Sequence, residues 1–150
     1  NSESTIVELS ERISNIFGPG CKPYYNSVIA TFVDQIQQGK PLSINGDGSQ
    51  KRDFIYVDVV VDAFMHAMMY KMKDTFENFD ICFGREYSLN EIIHELENIT
   101  EKPIEVQYNN TAQIGVTEML ISNENAKERL GWEPKVTLRE GLKKTLESLS

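Results

Sequence analysis

Residues 45–58, NGDGSQKRDFIYVD, set Lys51 and Arg52 side by side between a glycine-rich turn and an abruptly apolar run. Arginine offers a planar fork of donors that grips a phosphate bidentately, and a strand starting at the turn would fix its stem. The competing reading is a hairpin with a solvated tip, in which both cations face water. From the residues alone the solvated turn is the simpler account of Arg52. Asp47 and Asp53 flank the pair, but Asp in and beside turns serves local hydrogen bonding, and Asp47 is read that way. Asp58 is read as a helix N-cap and not as an acid catalyst.

Other residue types that carry chemistry do not assemble into a set. His66 and His94 have no metal spacing, and His66 falls in a Met-rich helical stretch. Cys21 and Cys82 form no CxxC pair. Ile81 and Phe83 flank Cys82, and both cysteines are predicted to be buried free thiols in a reducing compartment. The 9 glycines include the pairs Gly18–Gly20 and Gly46–Gly48 but nowhere the GxGxxG of a dinucleotide turn. Each of the 6 tyrosines was tested for a lysine four residues on, the pair that serves hydride-transfer enzymes. The residues found there are Val28, Ile29, Val60, Asp74, Glu91 and Ala112. With no GxSxG, Walker loop or zinc pattern either, no catalytic, cofactor-binding or metal-ligating residue is assigned. Trp132, directly after Gly131, is read as a packing anchor.

The elements that must position Arg52 follow from periodicity. The first dozen residues fit a strand (STIVEL) or a helix (IVELSERI), and RISNIFGPG reads as a strand end running into a loop. Val28, Ile29, Phe32, Val33 and Ile36 make one helical stripe, capped by Asn26 or Ser27 and ended by Gly39. PLSI and DFIYV are strands around the glycine-rich turn. Asp58 would cap a helix burying Val60, Ala63, Phe64, Ala67 and Met68. FDICF is a further strand. SLNE is a capping box, Ser88 with Glu91, opening a helix with Leu89, Ile92, Ile93, Leu96 and Ile99 inward. PIEVQY alternates as a strand, Ser122 or Asn123 opens a short helix stopping at Gly131, and TLRE is a second capping box opening a last helix lined by Leu138, Leu142, Leu146 and Leu149. Alternating strands and helices predict α/β layers.

The 150 residues amount to about one domain, with 40% hydrophobic and 25% charged residues. A chain of this size buries roughly 68–70% of its unfolded surface, enough for a core without staples. A net charge of −8 argues against general binding to nucleic acid or to anionic membranes. No apolar run is long enough for a membrane span and the first residues lack a signal-peptide core, so a soluble cytoplasmic protein is expected.

Three stretches in this order, RISNIFGPG, GKPLSINGDGSQKRDFIYVDVVVDAF and ENAKERLGWEPKVTLREGLKKTLES, resemble the C-terminal half of the nucleotide-sugar epimerase/dehydratase family, the extended short-chain dehydrogenases/reductases. The likeness runs from Arg12 almost to the end. CKPYYNSVIATF is similar to capsule-sugar reductases acting on UDP-linked deoxy-N-acetylhexosamines. In the family an N-terminal Rossmann half binds NAD(P) and supplies Tyr-x-x-x-Lys, while the C-terminal half closes over the nucleotide sugar. The resemblance implies that residues 1–150 are this nucleotide-sugar-binding lobe, α/β, a partial Rossmann edge plus a small substrate lobe with the first Rossmann half absent. It implies binding of a UDP- or dTDP-sugar within an epimerase, dehydratase or reductase of polysaccharide precursor synthesis. NAD or NADP belongs to the whole enzyme and is not expected on this chain alone. A homo-oligomer is expected.

By the same resemblance Arg52 matches the arginine that holds the diphosphate, Asn15 a loop asparagine at the edge of that site, and Asn26 the nucleotide-facing start of the next helix. The chain also departs from the family. Val59 replaces a common second Asp, Ser122 stands near another common Asp, TAQIGVTEM lacks an expected arginine, and VELSE replaces an apolar strand. The rival expectation is a non-catalytic binding or interaction module, or a lobe completed by a separate Rossmann chain.

Overall fold

Seven short strands and five helices alternate along the chain in a computed structural model that describes residues 8–25, 27–71, 76–111 and 122–149. In chain order they are β1 (Glu8–Ile13), β2 (Asn15–Phe17), α1 (Val28–Gln37), β3 (Leu42–Asn45), β4 (Lys51–Tyr56), α2 (Val57–Met69), β5 (Phe76–Ile81), β6 (Glu86–Ser88), α3 (Leu89–Thr100), β7 (Val106–Asn109), α4 (Glu124–Leu130) and α5 (Leu138–Glu147). The expected α/β alternation is present. β1 resolves the ambiguity of the first dozen residues in favour of a strand from Glu8, while the rest of STIVEL, residues 4–7, lies outside the described residues.

The strands form three small sheets. β1 pairs with β5 in parallel, with α2 in the crossover that parallel strands require. β4 lies between β2, parallel to it, and β6, antiparallel. β3 pairs in parallel with β7. β3 and β4 therefore do not pair with each other, and the hairpin reading of the glycine-rich turn is wrong. The turn is a crossing between two sheets, because each strand finds its apolar partners elsewhere.

Local signals set most helix ends. Ser27 caps α1 by accepting from the Ala30 N–H, and Gly39 follows the helix in the left-handed region at φ 68°. The Ser88–Glu91 capping box opens α3 with both reciprocal bonds made. Thr137 accepts from the Glu140 N–H at the start of α5. Asp58 does not cap α2. That helix starts directly from β4 with Tyr56 at the N-cap and no side-chain bond, and Asp58 sits exposed in the first turn, where its charge suits the helix dipole. The buried stripe of α2 is Val59, Val60 and Ala63; Phe64 and Met68 are 46% and 80% exposed, against the inward placement expected from the sequence. Leu149, also expected inside, is exposed beyond the end of α5. β7 does not alternate: Val106 is half-buried and Gln107, Tyr108 and Asn109 are exposed.

One core joins the layers. Phe17, Phe32, Ile55, Phe79, Ile92 and Leu142 are all buried in it, each worth roughly 1.5–3 kcal/mol of transfer free energy. Trp132 is the anchor expected of it, 1% exposed, with Nε1 donating to the Val59 carbonyl at 3.0 Å. Cys82 is buried as expected, but Cys21 is only half-buried.

Candidate functional site

The turn from β3 to β4 is held from several sides. The Asp47 carboxylate accepts from the Ser49 hydroxyl at 2.6 Å and the Ser49 N–H at 2.9 Å, closing an Asx turn as its position predicts. These bonds hold the Asp47 carboxyl below its ordinary pKa, the hydroxyl contributing most. Gly48 takes φ 81° against the Asn90 side chain, so no β-carbon fits there. Asn90 binds the turn twice, through Nδ2 to the Asp47 carbonyl (3.0 Å) and through its N–H to the Gly48 carbonyl (3.0 Å). The Leu89 N–H reaches the Gln50 carbonyl at 3.2 Å, and Gln50 Nε2 ties back to the Asn45 carbonyl at 2.8 Å. The tip is thus docked on the first turn of α3 and is not a free wet loop.

Arg52 is half-buried one residue into β4, opposite Tyr87 of β6. Its Nη1 donates to the Lys51 carbonyl at 2.8 Å, and it has no carboxylate partner among the described residues. Lys51 is exposed and, by strand alternation, points to the other face. Asn15 pairs with Phe54, which puts it on the face that carries Arg52, and its Nδ2 donates to the Asp53 carbonyl at 3.1 Å. Arg52 and Asn15 are therefore brought to one sheet face. Asn26 lies outside the described residues.

Sequence reasoning missed Asp53, placed there beside a turn. It is 6% exposed. Its Oδ1 accepts from Ser14 Oγ (2.7 Å) and the Phe83 N–H (2.8 Å), and its Oδ2 from the Gly84 N–H (2.8 Å). No local signal marks this, because Asp beside glycines reads equally well as a turn residue. Burial, and next the Asp53 charge, push the Cys82 thiol up to about 12. Asn123 holds the same loop from the other side, Nδ2 donating to the carbonyls of Cys82 (3.0 Å) and Phe83 (3.2 Å), instead of capping α4. Beside this, an open cleft of about 330 Å³ is lined by Arg85, Tyr87, Asn90, Glu91, His94 and Glu95. The Arg85 guanidinium lies 4.6 Å from the Tyr87 ring centroid.

A guanidinium with no carboxylate partner among the described residues, an amide on the same face and a rigid backbone can hold an anion. They supply no nucleophile with its base. No group of three His, Cys, Asp or Glu that could hold a metal occurs among the described residues. The direct strand-to-helix turns, Tyr56–Val57 and Ser88–Leu89, lack the glycines that let a backbone approach a pyrophosphate at a helix start. The described residues do not fit a dinucleotide.

Layered α/β elements thus hold Arg52 and Asn15 on one sheet face at the start of β4. The profile of the NAD dependent epimerase/dehydratase family matches residues 4–82, and the chain belongs to that family. A UDP-glucose 4-epimerase from Mycolicibacterium smegmatis is 33% identical over 135 residues, 89% of this chain and 42% of that protein. The structure of a UDP-glucose 4-epimerase from Thermotoga maritima with UDP-glucose superposes with a TM-score of 0.85 at 37% identity, covering 94% of this chain and 45% of the other. A UDP-glucuronic acid 4-epimerase variant from Bacillus cereus, in complex with UDP-4-deoxy-4-fluoroglucuronic acid and NAD, matches with a TM-score of 0.86 at 26% identity over 94% of this chain and 44% of that one. The chain spans less than half the length of each of these proteins.

Proposed function

We propose that this chain is the substrate-binding lobe of an NAD(P)-dependent nucleotide-sugar epimerase, dehydratase or reductase, and that Arg52 grips the diphosphate of a UDP- or dTDP-sugar. The observation that carries the reading is a half-buried guanidinium with no acidic partner among the described residues, held on the same sheet face as Asn15. Relatives of this lobe that bind UDP-sugars support it. The lobe orients: fixing the diphosphate sets where the sugar ring meets the nicotinamide supplied by the cofactor half. The choice among epimerase, dehydratase and reductase rests with acids and bases of that half. A role in polysaccharide precursor synthesis in the cytoplasm is part of the same proposal.

The test is an NMR titration with UDP-GlcNAc. Wild-type chain should bind near millimolar, about 4 kcal/mol, because half of the site is supplied by the other lobe. Arg52→Ala should remove most of that binding, since a charged hydrogen bond contributes roughly 1.5–3 kcal/mol. Lys51→Ala, on the opposite face, should leave it intact. Equal effects of the two substitutions would return Arg52 to a solvated turn residue. Equilibrium dialysis with NADH should show no micromolar binding to the chain alone; such binding would overturn the assignment as a substrate lobe.

A further inference from the structure

Arg52 sits where β4 has a single neighbour. Lys51, Arg52 and Asp53 pair only with Ser88, Tyr87 and Glu86 of β6, and β2 joins from Phe54 onward. A three-residue ladder at a strand start is weakly registered, and a slip by one residue would turn Arg52 to the opposite face. The guanidinium's own bond, to the carbonyl just before it, does nothing to prevent that slip.

Asp53 adds a restraint within β4 itself to those that Leu89 and Asn90 place on the preceding turn. Its carboxylate and carbonyl together accept four bonds: from Ser14 between β1 and β2, from Asn15 at the start of β2, and from Phe83 and Gly84 between β5 and β6. Asn123 holds the carbonyls of Cys82 and Phe83, so that loop is pinned on both of its polar sides. All four partners of Asp53 are neutral donors, and no cation pairs with it among the described residues. A carboxylate only accepts, whereas an amide in its place would turn an NH₂ group toward one of these donors. A buried carboxylate is costly unless its bonds are all made, and here the bonds to Asp53 tie two chain segments, Ser14–Asn15 and Phe83–Gly84, to the strand that carries Arg52.

We propose that Asp53 is the positioning residue of the Arg52 site. By clamping β4 to Ser14, Asn15 and the Phe83–Gly84 loop, it holds the Arg52 stem on the face shared with Asn15. The fork then meets a diphosphate already oriented. This rests on the reading of Arg52 as the diphosphate ligand, and the two stand or fall on different measurements.

The experiment is a double-mutant cycle read by titration of the chain with UDP, with amide fingerprints confirming that each variant is folded. Asp53→Asn should weaken UDP binding about tenfold, within the coupling expected of residues that share a network. In the Arg52→Ala background the same substitution should change binding less than about twofold, because Asp53 acts through Arg52. Should Asp53→Asn not fold, Ser14→Ala carries the test: it removes one of the carboxylate's three donors and should weaken UDP binding about threefold, again only when Arg52 is present. Unchanged affinity in the tested variant, or an equal loss with and without Arg52, would reduce Asp53 to a fold-stabilising residue. If Arg52→Ala itself leaves UDP binding intact, the diphosphate reading fails first, and this inference falls with it.

Discussion

Arg52 and Asp53 are neighbours with opposite surroundings, the first bonded among the described residues to the Lys51 carbonyl alone and the second buried under four donated bonds. The place of Arg52 between a glycine turn and an apolar run singled it out, but the residues alone favoured a solvated turn, and the diphosphate role came from the family resemblance. The inward placement of Asp53 was not legible, because turn chemistry explains Asp beside glycines equally well, and only the sheet pairing shows that it points inward. Asp47 is the contrasting case, where the local rule sufficed. Its folded-state pKa is depressed below 3.8 by Ser49, so the stability it adds is complete above that value and drains away as pH falls through the lower folded-state pKa. Urea midpoints of wild type and Asp47→Ala should therefore differ most at neutral pH and converge toward pH 2; a constant gap would contradict the Asx-turn account. Cys82 runs the other way. Its pKa is raised from 9.0 to about 12, so the neutral thiol is favoured in the fold, and the stability this represents is lost as pH rises from 9 toward 12. At pH 8 iodoacetamide should label half-buried Cys21 well before Cys82, and equal rates would show that Cys82 is not enclosed.

At the scale of elements, caps were the most readable features. Ser27, Ser88 and Thr137 all accept the bonds their positions predict, because a cap involves only residues three apart. Pairing was the least readable. DFIYV next to PLSI reads as a hairpin until β2, β6 and β7 claim those strands through contacts remote in sequence. α2 was misread for a related reason: its residues are apolar almost all round, so periodicity cannot tell the stripe of Val59, Val60 and Ala63 from the exposed Phe64, Met65 and Met68. A close approach went equally unseen. A β-carbon on Gly141 of α5 would lie 2.7 Å from the Phe17 ring and 2.9 Å from the Tyr56 ring. Gly141→Ala should destabilise the chain by about 1–3 kcal/mol through overpacking, despite alanine's better helix propensity. Chemical denaturation would show it, with Lys143→Ala on the exposed side as a neutral control; a stabilised Gly141→Ala variant would refute the contact.

The whole molecule presents more apolar surface than a self-sufficient domain needs. Val61, Phe64, Met65, Met68 and Met69 are exposed on α2, and Phe76 at the start of β5. The β1–β5 pair is a two-stranded parallel sheet, an arrangement that ordinarily belongs to a larger covered one. The chain alone should therefore self-associate, and replacing Phe64 and Met68 by Glu should weaken the association. A strict monomer in sedimentation at high concentration would argue against this. Recognition of a diphosphate by Arg52 is tested most sharply by the affinity of the chain for uridine, UMP and UDP side by side at two salt concentrations. Affinity should rise with each phosphate, fall with salt, and lose its dependence on phosphate in Arg52→Ala. Uridine binding as tightly as UDP, or a phosphate dependence that survives Arg52→Ala, would contradict it.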